Sequence, residues 1–238
     1  GGGVCIRDGG TLRNCVVFSN SSQYGGGVYV YRTGLVEHCT VISNVASFGG
    51  GIALTRGGRV CGSQVVTNRA TGEGGGIRIM MYGTAEDTLV DRNVLTSSSG
   101  CGGGIYCISG TVARCVVSCN NAARYESWGG GLFLVGTASD CTIVSNASAY
   151  RGGGVSCSRG TLLNSTILNN RSGNGGGVEM GSGDVVRNCL IAGNVATNNG
   201  GGGGVYSYEG GLIENCTVVC NTNLGTGGAG GMFCYRWG

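Results

Sequence analysis

The chain reads as all-β, a single right-handed parallel β-helix of about nine full coils and a partial tenth, with three strands per coil and an inward asparagine ladder. Three observations lead there. Gly-Gly-Gly followed by Val, Ile or Leu begins at Gly1, Gly25, Gly49, Gly74, Gly102, Gly129, Gly152, Gly175 and Gly202, at intervals of 23 to 28 residues, with a degenerate copy at Ala229-Gly230-Gly231-Met232. About eighteen residues after each triplet begins stands one asparagine: Asn20, Asn44, Asn68, Asn93, Asn120, Asn146, Asn170, Asn194 and Asn221. Positions counted back from it form columns of one size and polarity, as stacking of equivalent residues about 4.8 Å apart demands.

The first strand follows the glycines, where Val28-Tyr29-Val30, Ile52-Ala53-Leu54, Ile77-Arg78-Ile79 and Leu132-Phe133-Leu134 alternate with the period of a half-buried strand. A shorter strand is expected eight positions before the asparagine, at the apolar column Leu12, Val36, Val60, Ala85, Val112, Ala138, Leu162, Val186 and Ile213. The remaining strand runs to the asparagine. It passes through a small column, Cys15, Cys39, Ser63, Thr88, Cys115, Cys141, Ser165, Cys189 and Cys216, and a β-branched one, Val17, Val41, Val65, Val90, Val117, Ile143, Ile167, Ile191 and Val218. The asparagines and the glycines are read as corners. A buried amide both donates and accepts, so stacked asparagines bond along the axis. Glycine permits φ > 0 and close approach of neighbouring coils. Absence of proline fits strands paired on both sides. Helix is disfavoured by 53 glycines and by the lack of a sustained 3.6-residue period.

Residues 1–238 are expected to form one domain, a rod of roughly 45 Å from the strand spacing. The chain starts without methionine on a repeat boundary, which suggests a mature or excised piece of something longer. Net charge is +3, only 11% of residues are charged, and the fifteen arginines are scattered, so no basic stripe supports nucleic-acid binding. No apolar run approaches a transmembrane span. With one histidine, His38, and no Cys-x-x-Cys pair, no metal site and no cofactor are expected. The cysteines of the small column, with Cys107, Cys157 and Cys234, read as buried thiols. Cys5, Cys61, Cys101, Cys119 and Cys220 read as outward or turn positions better suited to bridging.

Three outward features are candidate sites. Six positions before the asparagine, Asp87, Arg114 and Asp140 stand on successive coils, where two carboxylates flanking an arginine could cleave a polysaccharide by acid/base chemistry. The plainer reading is a surface ion-pair ladder. Two positions before the asparagine, Phe18, Ile42, Val66, Val144, Leu168, Ala192 and Val219 either turn inward or form an apolar strip for lateral packing. Tyr29, Tyr31, Tyr106, Phe133, Tyr206, Tyr208, Phe233 and Tyr235, with Trp237 close by, mark a candidate interface, or else aromatics stacked across coils.

The paired signature Gly-Gly-Gly-(Val/Ile) and (Val/Ile)-x-x-Asn resembles the GGA(I/L/V) and FxxN repeats of the chlamydial polymorphic outer membrane proteins, and more broadly the repeats of pectate-lyase-like solenoids. Here a third glycine replaces alanine, and Val or Ile replaces phenylalanine. The resemblance implies a secreted or cell-surface protein acting in adhesion or as a stalk. Together with the use of nearly every regular position to build the rod, it makes a structural or adhesive role the expected function, as a stalk or passenger domain or as a subunit of an extracellular fibre, with self-association or other surface proteins and glycans as partners. The alternatives are a polysaccharide lyase or glycoside hydrolase and a passive ligand-binding module.

Overall fold

The computed structural model describes residues 1–122 and 124–236, and all of its regular structure is short parallel strand. The first coil runs through Val4–Arg7, Thr11–Arg13, Val16–Phe18 and Ser21–Tyr24, and this pattern repeats through nine full coils to Met232–Tyr235, the first strand of a tenth. Three sheets line the rod, of seventeen, nine and nine strands. Sheet 1 holds two segments per coil: the strand after the glycines and the short strand through the apolar column. These join in Ile105–Ala113 and Leu132–Ser139. Sheet 2 carries the strand that leads to the asparagine. Sheet 3 is the strand after the asparagine, so each coil has a fourth segment beyond the three read from the sequence.

Register is column upon column. Val17, Val41, Val65, Val90, Val117, Ile143, Ile167, Ile191 and Val218 pair in unbroken succession. Every residue of that column between Val41 and Ile191 is fully buried, as are Ile52, Ile77, Ile105 and Leu132 on sheet 1. One apolar core therefore runs the length of the rod, and its burial is the main favourable term in folding.

The corners explain the residue choices. In the triplet Gly129-Gly130-Gly131 the first glycine has φ +66°, a left-handed conformation that side chains disfavour. A Cβ on Gly130 would lie 2.4 Å from the Ala147 carbonyl, and one on Gly131 would lie 2.7 Å from the Gly154 oxygen. Two further corners per coil are left-handed at residues that are mostly not glycine. The position just before the ladder asparagine is one, as at Ser43 (φ +55°) and Ser145 (φ +57°). The column six before it is the other, from Asn14 (φ +53°) to Asn215 (φ +53°). The column two before the asparagine points outward: in Thr40–Ile42 and Thr166–Leu168 only the middle residue is buried. The apolar strip on sheet 2 is thus a feature of the surface.

Candidate binding face on sheet 1

Asp87 (φ +49°), Arg114 (φ +51°) and Asp140 (φ +57°) all sit on the left-handed corner between sheets 1 and 2. Asn, Asp and Gly tolerate that conformation best, so the recurrence of Asn14, Asn164, Asn188 and Asn215 in the column has a backbone cause. Arg114 grips Asp87 with two hydrogen bonds of 2.8 Å and donates a third, of 2.7 Å, to Glu86. Arg59 also pairs with Glu86. Asp140 stands apart from this network and accepts a 3.4 Å contact from the Asn164 amide, while Asn188 donates to Asn164 at 3.0 Å. The hydrogen bonds from Arg114 hold Asp87 below the usual carboxylate range, and Arg59 foremost does the same for Glu86. The stripe is a chain of ion pairs and amides along an exposed corner.

The ladder asparagines lie at the next corner, between sheets 2 and 3. The amide of Asn146 donates to the Val117 carbonyl at 2.9 Å and to Asn170 Oδ1 at 3.0 Å. Its Oδ1 accepts from the backbone N–H and the amide of Asn120 at 2.9 and 3.0 Å. The same pattern of amide and backbone bonds to the next coil runs from Asn44 to Asn194, and the residues from Asn44 through Asn194 are buried. Asn20 and Asn221 complete the series at its ends.

The aromatic residues converge on the outer face of sheet 1. Tyr29, Tyr106, Phe133, Tyr206 and Phe233 share one register column, which also contains Arg78, Ser156 and Glu179. Tyr31, Tyr208 and Tyr235 lie two residues further along the same strands. Trp237 falls outside the described residues. Neighbours stack: Tyr106 on Phe133 at 5.3 Å, Tyr206 on Phe233 at 6.2 Å, and Tyr208 on Tyr235 at 5.8 Å between ring centroids.

Sequence reasoning missed what joins them. Residues preceding the glycine triplets bridge from coil to coil as Glu73, Cys101, Trp128, Arg151 and Asn174, beside the sheet 1 column. Arg78 lies 5.1 Å from the Phe48 ring, 5.9 Å from Tyr106 and 6.0 Å from Tyr24, and donates to Glu73 at 2.9 Å. Arg151 is enclosed more fully, 4.9 Å from the Tyr150 ring, 5.4 Å from Tyr208, 5.5 Å from Trp128 and 5.7 Å from Tyr206. Its nearest carboxylate, Glu179, is 3.5 Å away and accepts a 2.6 Å bond from Ser156. Burial pushes the Glu179 carboxyl above its ordinary range. Asp184, also raised by burial, accepts from the Gly160 and Gly181 amides at 2.6 Å each and so braces the turns. Each arginine borders a cavity, of about 460 Å³ beside Tyr29, Tyr31 and Arg78 and of about 310 Å³ beside Trp128, Arg151 and Glu179. The signal available in the sequence was a pair of columns whose members differ, read together.

All fourteen cysteines are free thiols. Cys61 keeps the expected outward side of its strand, in register with Glu37 and Glu86, but is covered there to 8% exposure. Burial pushes Cys101, Cys107 and Cys115 up to about 12. Among the described residues no helix is long and apolar enough to cross a membrane, and no group of three His, Cys, Asp or Glu could hold a metal ion.

The chain matches no protein-family model and no curated protein. Among solved structures it has a distant likeness to the TibC-catalyzed hyper-glycosylated TibA55-350 fragment, at 14% identity and a TM-score of 0.27, over 99% of this chain and 100% of that one.

Proposed function

We propose that this β-solenoid is a non-catalytic adhesive rod displayed outside the cell, which docks other surface molecules along the outer face of sheet 1. The observation that carries the reading is the gathering of rings along one face: Tyr24, Phe48 and Tyr106 around Arg78, Trp128, Tyr150, Tyr206 and Tyr208 around Arg151, with Tyr29 and Tyr31 lining the cavity that Arg78 borders. Aromatic and arginine side chains with little conformational freedom are the residues interfaces favour. The corner stripe supports the same reading from the other side. Asp87 is held ionised by Arg114, which suits it poorly to act as a general acid.

A carbohydrate-active enzyme is the second reading, and its best support is no longer the stripe but Glu179, a buried carboxyl with raised proton affinity beside a cavity. Both readings are tested with beads coated in the chain, applied to cell and glycan surfaces, and with a polysaccharide-cleavage screen on the same preparation. The adhesive reading expects retention that falls in a Tyr29→Ser, Tyr31→Ser, Tyr106→Ser variant and persists in Asp87→Asn, Asp140→Asn. Cleavage abolished by Glu179→Gln would replace it.

A further inference from the structure

The smaller cavity on sheet 1 has the makings of a defined subsite. At about 310 Å³ it lies at the low end of the ~300–1,000 Å³ typical of ligand pockets. Trp128 and Tyr208 supply apolar ring surface on its wall, and both are only partly buried. Arg151 and Glu179 supply polar groups of opposite kind: the guanidinium only donates and the carboxylate only accepts. Their mutual contact is long, 3.5 Å, and Arg151 Nε is buried with no hydrogen-bond partner among the described residues. An unpaired buried donor is costly, and the terminal guanidinium nitrogens make only long contacts, 3.5 Å to Glu179 and 3.4 Å to the Tyr150 hydroxyl, so the protein satisfies this arginine poorly.

The charges select among ligands. Arg151 and Arg159 line the cavity with Glu179, Asp184 and Glu209, so carboxylates outnumber cations and a phosphate or uronate gains no net attraction. A cationic ligand finds the space among the rings already taken by the Arg151 guanidinium. A neutral ring with an apolar C–H face and a rim of hydroxyls, each both donor and acceptor, answers every feature.

We propose that this cavity binds one neutral pyranose of a surface glycan, its C–H face against Trp128 and Tyr208 and its hydroxyls bridging Arg151 and Glu179. The assignment rests on the adhesive reading and adds one defined subsite and its ligand class to the sheet 1 face. Calorimetric titration with cellohexaose, chitohexaose, mannohexaose and polygalacturonate tests it, on the wild-type chain and on Trp128→Ala, Arg151→Gln and Tyr208→Ser, each checked for a wild-type circular dichroism spectrum. At least one neutral hexamer is expected to bind, weakened roughly tenfold or more by any folded member of the three, and unchanged by Tyr125→Ser, an exposed ring outside the cavity. Binding of no neutral hexamer, binding indifferent to all folded variants, or binding of polygalacturonate alone overturns the assignment. Sugar binding lost without loss of bead retention leaves the subsite standing and removes its role in adhesion. Retention that depends on the sheet 1 face without any sugar binding keeps the adhesive reading and overturns the subsite.

Discussion

Replacing Asn146 with alanine removes four hydrogen bonds from the middle of the rod. Two are donated by its amide, to the Val117 carbonyl and to Asn170, and two are accepted from Asn120. Some of these partners have alternatives: Asn170 Oδ1 still receives the Asn146 backbone N–H, and the Asn120 amide still donates to the Val90 carbonyl. The Asn120 N–H is left without an acceptor in a site whose side chains are 1% exposed or less, while the Val117 carbonyl keeps the sheet bond that its register with Ile143 provides. An unsatisfied buried polar group costs about 1–3 kcal/mol, so the orphaned Asn120 N–H predicts a loss of about 1–3 kcal/mol, a substantial part of the ~5–15 kcal/mol that holds a domain folded. Asn146→Asp keeps the acceptor but sets a carboxylate against two oxygens and should cost no less. Asn164→Gly serves as control, since that exposed corner is already left-handed; it should stay within about 0.5 kcal/mol of wild type. A solenoid need not unfold in one step. Urea melts are therefore to be paired with hydrogen exchange at the Asn120 amide, which should lose protection in Asn146→Ala. A melt within about 1 kcal/mol of wild type with Asn120 still protected would refute the reasoning.

Gly130→Ala should fail to fold or aggregate, because the new methyl meets the Ala147 carbonyl and the Gly153 oxygen, which belong to backbone and cannot swing aside; soluble yield and circular dichroism check this. Alkylation of the native chain by iodoacetamide, mapped by mass spectrometry, should mark the exposed Cys5, Cys119 and Cys220 and spare Cys107, Cys115 and Cys157. Rapid labelling of Cys115 would contradict the burial. For Glu179 the folded carboxyl holds its proton to higher pH than the unfolded one, so between those two values the folded state binds more protons and stability falls as pH rises. Glu179→Gln should remove part of that fall, leaving the share due to Asp184. Melting temperatures from about pH 4 to 7 test it, and a mutant profile that matches wild type speaks against it.

The repeat made the fold legible because stacking forces like upon like. The β-branched column from Val17 to Val218 and the asparagines have identical neighbours above and below, and the sequence carries that constraint openly. The strand of sheet 3 was missed although a mostly small inward column marks it: Ser22, Ala46, Ala70, Ala122, Ser148, Ser172 and Ala196, interrupted by Leu95. Its small residues imitate a loop, and its outward positions vary from Arg69 to Val94 and Asn121. The corner stripe admits two readings for the opposite reason. Asn and Asp recur there because φ is near +50°, and the same residue types also do chemistry. The enclosure of Arg151 could not be found by seeking uniform columns. It arises where Trp128, Arg151 and Glu179 differ from the residues stacked on them, and differing residues are where a repeat protein has room for a site.

On the proposed reading the sheet 1 face, and no catalytic residue, carries the function. Retention of coated beads on cell and glycan surfaces, compared between wild type and the Tyr29→Ser, Tyr31→Ser, Tyr106→Ser variant at matched folding, tests it most directly. The account predicts retention by wild type and a loss of most of it in the variant. Equal retention by the two, or a wild-type chain that cuts the glycan it touches, would contradict it.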